Sequence, residues 1–168
     1  MYFQTDPFFG KYINRYGCLY MVIAFAKERY ERYIWRKEDL KRLWSEAIGN
    51  GTGIGESIIT GDLNHDGDMD DKGELIIQSH TKLAQLLGSP IRMIEPNGPG
   101  LIKGHFPAKY PILPSQYAAG CFYNPRTNYR HFCAIDHTKR VIYDPIEGGS
   151  VTVREGYLET IRLYEVLV

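Results

Sequence analysis

Residues 14–26, NRYGCLYMVIAFA, decide how the rest of the chain is interpreted. From Cys18 to about Arg29 the sequence predicts a helix that is apolar on nearly every side. Such a helix is usually surrounded by the other elements of its domain, because no face of it suits water. The stretch therefore predicts a central buried helix that begins at a Gly-Cys pair.

The elements on either side of residue 89 differ in character. Before it, apolar residues at helical spacing predict a second helix over about 37–48 and a third from the N-cap Ser79 to Gly88. Residues 1–17 read as an irregular lead-in and 49–74 as a long connection. After residue 89, short β-branched runs predict strands at Ile91–Ile94, Ala119–Tyr123, His131–Asp136, Val141–Asp144, Ser150–Val153 and Arg162–Leu167. Helices followed by strands predict an α+β fold with helices packed on an antiparallel sheet.

Composition limits the class of protein. The length of 168 residues predicts a single domain over 1–168. Lys plus Arg equals Asp plus Glu at 20 each, so no general attraction to nucleic acid is expected. No apolar run is long enough for a membrane span, and no signal peptide is recognised. Three cysteines do not form a disulfide framework, so a cytoplasmic location is expected.

Cys18 lies where the central helix begins. The free N–H groups and the dipole of a helix N-terminus stabilise an anion, and a thiolate is an anion. Cys18 is therefore a candidate nucleophile, and Gly17 before it allows a sharp turn and a clear approach to the sulfur. The alternative is a buried structural cysteine, since free cysteines are often buried.

His131 and Asp144 are expected to lie on neighbouring strands. A short turn at 137–140 makes the strands HFCAID and VIYD an antiparallel pair, which places His131 opposite about residue 146. Asp144 then lies close enough to accept from one imidazole nitrogen, leaving the other to face a thiol. The alternative is a surface histidine and an Asp-Pro turn.

The remaining cysteines and histidines offer other partners. Cys133 shares a strand face with His131, and Cys121 is expected to pair near Cys133 across a hairpin at 124–130. Both read as core residues. No pair of cysteines has the short spacing of a zinc site.

The order Cys, His, Asp in NRYGCLYMVIAFA, HFCAID and VIYDPIEGGSVTV resembles the papain-like cysteine peptidases. The resemblance is nearest to the bacteriocin-leader (double-glycine) peptidases and to a family of spirochaete proteins with the same pattern. It spans roughly 12–168 and implies a papain-like fold, with N-terminal helices against a C-terminal antiparallel sheet. It implies that Cys18 is the nucleophile, His131 the general base and acid, and Asp144 the residue that orients the imidazole.

The resemblance also implies an oxyanion hole formed by the Cys18 backbone N–H and one side-chain amide. The family places a Gln about six residues before the cysteine, where this chain has Tyr12. Asn14 is the nearer substitute and Gln4 the more distant one. Without such a donor, transition-state stabilisation typically falls by ~2.7–4 kcal/mol, so an inactive member of the family is an alternative.

The segment DLNHDGDMDDKGE, residues 62–74, predicts a calcium site. Oxygen ligands at alternate positions with a Gly at the sixth suit Ca²⁺, although Glu74 comes one place later than in an EF-hand. The alternative is a solvated acidic turn. The expected ligands are Asp62, Asn64, Asp66 and Asp68, with Asp70 or Glu74 completing the shell.

Three functions follow from these features. The first is a cysteine peptidase or thiol acyl hydrolase with a structural calcium, acting on a peptide or protein. The second is an inactive binding module on the same fold, which the missing upstream Gln favours. The third is a cell-wall amidase or endopeptidase, which the neutral charge disfavours. The sequence leaves the substrate and the oligomeric state open.

Overall fold

The computed structural model describes residues 1–48, 58–60, 76–99, 101 and 104–168. One 3₁₀ turn, Pro7–Phe9, precedes the first helix. The helices are α1 (Gly10–Tyr16), α2 (Cys18–Glu31), α3 (Lys37–Ile48), α4 (His80–Leu87) and α5 (Val151–Glu155). The strands are β1 (Ile59–Thr60), β2 (Ile76–Ile77), β3 (Ile91–Met93), β4 (Phe106–Pro107), β5 (Gln116–Asn124), β6 (Tyr129–Ile135), β7 (Val141–Tyr143) and β8 (Tyr157–Val166).

A six-stranded antiparallel sheet forms the C-terminal half. Its order is β3-β8-β5-β6-β7, with β4 pairing with another part of the long strand β8. β1 and β2 form a separate antiparallel ribbon. The chain is therefore α+β, as the sequence predicts. No helix in the described residues is long and apolar enough to cross a membrane.

Helix α2 occupies the centre of the main core. Every residue from Leu19 to Ala24 is buried, and so is Ala26, because the helix packs against β6 and α4. Side chains from the surrounding elements also bond to its carbonyl groups: the Tyr117 hydroxyl donates to Val22 O at 2.5 Å. The prediction of a buried central helix beginning at Cys18 is confirmed.

The predicted ends of α3 and α4 are also confirmed. The structure has α3 at Lys37–Ile48, with its apolar face buried. Ser79 caps α4 by accepting a hydrogen bond from the Lys82 N–H, and Gly88 ends the helix in the left-handed conformation, with φ of 64°.

Three local predictions are wrong. The lead-in 1–17 is not irregular throughout, since the 3₁₀ turn and α1 occupy residues 7–16. The predicted strand Ser150–Val153 is instead the start of α5, because the Ser150 side chain accepts from the Thr152 N–H and caps a helical turn. A helix cap therefore outweighs the β-branched run at 151–153. The predicted connection at 49–74 contains β1, and β4 was not predicted.

The hairpin β6–β7 has the expected register. Ala134 faces Tyr143, and a register shift then places Ile135 opposite Val141. The hairpin β5–β6 pairs Gly120 with Cys133 and Cys121 with Phe132. Cys121 therefore pairs next to Cys133, as expected, but the two side chains point to opposite faces of the sheet and do not make a cross-strand contact.

Candidate active site

Cys18 is the first residue of α2 and is partly exposed. Its backbone N–H is among those at the start of a helix that have no acceptor within the helix. The partial positive charge of this helix end lies beside the sulfur. The position therefore combines access to the thiol with groups that stabilise negative charge.

Gly17 is the single residue between α1 and α2. Its N–H donates to Ile13 O at 2.9 Å, and its φ of −81° is ordinary for any residue. A Cβ at this position would lie 2.5 Å from Ile13 O and 2.8 Å from the Ile13 side chain. Glycine is therefore needed here because the backbone of residue 17, directly before Cys18, packs against Ile13 of α1.

His131 and Asp144 form a buried pair between β6 and the end of β7. The Nε2 atom of His131 lies 2.7 Å from Asp144 Oδ1, and the side chains are 6% and 13% exposed. The other ring nitrogen, Nδ1, is left for a different partner. The predicted pairing of these two residues is present.

Three donors hold the Asp144 carboxylate. Oδ1 accepts from the Ile146 N–H at 2.9 Å as well as from His131, and Oδ2 accepts from the Ser150 N–H at 2.8 Å. Burial alone would raise the pKa of Asp144, but these hydrogen bonds outweigh it and lower the pKa below its ordinary value. Asp144 is therefore ionised and fixed in orientation at neutral pH.

The imidazole of His131 is stabilised in its charged form. Burial favours the neutral ring, but hydrogen bonds with Asp144, Cys133 and Cys18 outweigh it, so the pKa of His131 is raised. The thiols of both cysteines therefore lie within reach of one ring. The site combines a helix-terminal thiol, an imidazole and an orienting carboxylate, which is the set of groups that nucleophilic acyl transfer requires.

Cys133 contacts the same imidazole but has no access to solvent. Its exposed fraction is 0%, and burial, partly offset by the hydrogen bond to His131, raises the pKa of its thiol to about 11. Cys18 is partly exposed. Of the two thiols, only Cys18 is placed to meet a substrate.

His131, Cys133 and Asp144 could also be considered as metal ligands. One atom from each lies within 4.8 Å of the others, the one such grouping of three or more ligands among the described residues. Both oxygens of Asp144 already accept hydrogen bonds, and Cys133 is fully buried. The arrangement therefore suits an orienting carboxylate better than a metal ligand.

Asn14 is engaged with the N-terminal segment. Its Nδ2 donates to the carbonyl groups of Gln4 and Asp6, the latter at 2.9 Å. An amide carries two N–H hydrogens, so these two bonds use both. Its proposed role as oxyanion donor stays a prediction, and in this structure the amide holds residues 4–6 in place.

Gln4 lies in the same network and is 3% exposed. Its backbone N–H donates to Pro145 O at 2.8 Å, next to Asp144, and its Nε2 donates to Asn14 O at 3.0 Å. Its Oε1 is buried with no partner among the described residues. The segment containing Gln4 thus links α1, which precedes Cys18, to the residues that follow Asp144.

The predicted calcium ligands Asp62, Asn64, Asp66, Asp68, Asp70 and Glu74 lie outside the described residues.

Comparison of the chain with protein-family models, curated proteins and solved structures gave no match.

Proposed function

We propose that this chain is a thiol acyl hydrolase, specifically a cysteine peptidase of papain-like fold acting on a peptide or protein. The observation that carries the proposal is the 2.7 Å contact between His131 and Asp144, on an imidazole whose pKa the Cys18 thiol also helps to raise. Cys18 is the nucleophile, His131 the general base and acid, and Asp144 the positioning residue. Oxygen ligands within residues 62–74 hold a structural Ca²⁺ in this proposal.

The reaction proceeds in two transfers. His131 takes the Cys18 proton, and the sulfur attacks the substrate carbonyl carbon to give a tetrahedral oxyanion beside the Cys18 backbone N–H. The carbonyl re-forms, the bond to the leaving amine breaks, and the amine takes the proton from His131. A thioester on Cys18 remains. Water, deprotonated by His131, hydrolyses it and regenerates the thiol.

Alkylation by iodoacetamide tests the thiol–imidazole pair. The rate at Cys18 is measured against pH by mass spectrometry in the wild type and in His131→Ala. Cys121 and Cys133 are internal controls, because both are buried in the folded protein. We expect Cys18 to be alkylated much faster than either control near neutral pH, because the neighbouring imidazole and the helix N-terminus stabilise a thiolate. The rate near neutral pH is expected to fall in His131→Ala, whereas a rate indifferent to His131 contradicts the pair.

An activated ester tests acyl transfer itself. With 4-nitrophenyl acetate, we expect release of nitrophenolate and transient acetylation of Cys18. Both are expected to disappear in Cys18→Ser and to remain in Cys133→Ala. Acetylation that persists in Cys18→Ser would contradict the assignment of the nucleophile.

A non-catalytic binding module is the second candidate. The specific observation in its favour concerns the oxyanion donor. Tyr12 lies where the papain-like peptidases have a Gln, and Asn14 donates both of its amide hydrogens to the carbonyl groups of Gln4 and Asp6. A chain with a reactive Cys18 that forms no acyl-enzyme fits this candidate. A chain that turns over the ester fits the hydrolase.

A further inference from the structure

A second polar cavity lies apart from Cys18, His131 and Asp144. It has a volume of about 200 Å³ and lies between the N-terminal end of α4 and β8. Arg162, His80 and His105 line it. None of the candidate catalytic side chains does so, and the hydrolase proposal makes no use of these groups.

Arg162 brings a buried positive charge to this cavity. The residue is 7% exposed, its Nη1 donates to Thr160 Oγ1 at 2.9 Å, and its guanidinium lies over the Phe132 ring at 5.2 Å. Among the described residues no carboxylate forms an ion pair with it. A buried charge with no counter-ion among the described residues favours an anion beside it, and the guanidinium has five N–H donors to satisfy. Both properties point to an anion.

The two histidines add donors without adding charge. Burial, helped by the charge of Arg162, lowers the pKa of His80 to about 3 and lowers the pKa of His105 as well. The His80 Nδ1 lies 2.8 Å from the buried hydroxyl of Tyr164, whose proton needs an acceptor. His80 therefore accepts at Nδ1 and keeps its proton on Nε2, so it is a neutral N–H donor.

The other groups at the cavity are compatible with an anion. Thr81 Oγ1 accepts from the Met93 N–H at 3.3 Å, which leaves its hydroxyl proton to donate. The start of α4 contributes its partial positive charge. Glu95 is the one carboxylate among the lining residues, and it is exposed. Positive and donor groups therefore dominate the interior.

We propose that this cavity binds a small oxyanion of the phosphate or carboxylate class against the Arg162 guanidinium. The guanidinium takes two anion oxygens in the planar geometry that arginine favours. The Thr81 hydroxyl and a histidine N–H are placed to donate to the rest. This site is independent of the thiol chemistry proposed for Cys18.

Isothermal titration calorimetry with sodium phosphate and with sodium acetate, at ionic strength held constant with NaCl, tests the proposal. We expect saturable binding of at least one of these anions, weakened more than about tenfold in Arg162→Gln through loss of the charge-assisted pair. Arg92→Gln is the matched control. Arg92 is an exposed arginine of the same sheet that pairs with Glu165 at 2.6 Å, and its loss should leave binding unchanged.

A measurement on the wild type covers the case in which Arg162→Gln does not fold. A bound anion favours the charged imidazole, so the pKa of His105, followed by NMR, is expected to rise on adding the anion that binds. Phosphate binding alone identifies a phosphate-type ligand, and acetate binding alone a carboxylate. No saturable binding of either anion, or no change in the pKa of His105, overturns the proposal. Equal binding by a folded Arg162→Gln protein overturns it as well.

Discussion

The Nε2 atom of His131 lies 2.7 Å from Oδ1 of Asp144, although thirteen residues separate them in the chain. The turn between β6 and β7 brings them together, and backbone N–H groups after β7 then fix the carboxylate. Backbone N–H groups thus hold both carboxylate oxygens of Asp144 independently of the imidazole. This is the geometry that orients a histidine for proton transfer.

Asp144→Asn should destabilise the protein by about 1–3 kcal/mol, the usual cost of an unsatisfied buried polar group. An asparagine has only one side-chain oxygen, so its NH₂ group would replace either Oδ2 or Oδ1. A donor would then face the Ser150 N–H in the first case, and the Ile146 N–H and His131 in the second. Urea denaturation gives the free energy of unfolding.

Asp136→Asn is the matched control for that change. All three bonds to Asp136 reach the same oxygen, Oδ1, so an asparagine can keep them. A loss of stability in Asp144→Asn no larger than in Asp136→Asn would show that the bonds to both oxygens of Asp144 are not needed.

The stability that His131 contributes should depend on pH with a definite sign. The pKa of His131 is raised in the folded state, so its contribution is fully present below its unfolded value of 6.5 and is lost as pH rises above it. The difference in unfolding free energy between wild type and His131→Gln should therefore shrink from pH 6.5 upward.

His80 provides a control of opposite sign. Its pKa falls from 6.5 to about 3 on folding, so its contribution is present above pH 6.5 and is lost as pH falls toward 3. The difference between wild type and His80→Gln should shrink in the acid range. Equal pH profiles for the two variants would contradict the opposed environments of the two rings.

The sequence predicts the structure correctly where the local pattern and the chain topology indicate the same arrangement. The all-round apolar run after Cys18 requires a buried helix, and a short turn between two strands fixes which residues face each other. The first predicts the position of Cys18 and the second the pairing of His131 with Asp144, whereas their combination into one site is what the resemblance to the papain-like peptidases implies. The start of α2 and the His131–Asp144 pair are as expected.

Features that depend on tertiary contacts could not be predicted from the local sequence pattern. The short helix α1 is bounded by Gly10 and Gly17, which read as breaks in a sequence. The direction of the Asn14 amide depends on where residues 4–6 pack, and nothing near Asn14 in the chain specifies that. The pairing of the Arg162 guanidinium with Phe132 likewise requires the register of three strands.

Gly17→Ala should lower both stability and the reactivity of Cys18. The added Cβ would meet Ile13 O at 2.5 Å, so the backbone at residue 17, directly before Cys18, must shift, at a typical cost of ~1–3 kcal/mol for overpacking. Gly10→Ala is the comparison, because its Cβ would meet no atom within 4 Å and only its φ of +76° causes strain. Both variants should lose stability, but only Gly17→Ala should slow alkylation of Cys18. Equal alkylation rates in the two would disprove the positioning role of Gly17.

The acylation rate with 4-nitrophenyl acetate should distinguish the two side-chain amides as oxyanion donors. One N–H of Gln4 Nε2 goes to Asn14 O and the other is not needed there, whereas Asn14 uses both of its own. We expect Gln4→Ala to reduce the rate by about 10²–10³, the usual effect of removing an oxyanion donor. Asn14→Asp keeps the side-chain size and removes the donors. A larger rate loss there, in a protein as stable as Gln4→Ala, would return the role to Asn14.

The segment 62–74 should bind Ca²⁺ through its carboxylates. Asp62, Asp66 and Asp68 repel one another without a cation, so binding should raise the melting temperature in proportion to the logarithm of calcium concentration above Kd. Asp62→Asn with Asp66→Asn removes two of the charges and should abolish the calorimetric signal. Asp39→Asn, in α3 where the carboxylate pairs with Arg36 and Arg42, is the control acidic change. A wild-type protein that gives no saturable heat with Ca²⁺, or responds equally to Mg²⁺, would leave this segment as a solvated acidic turn.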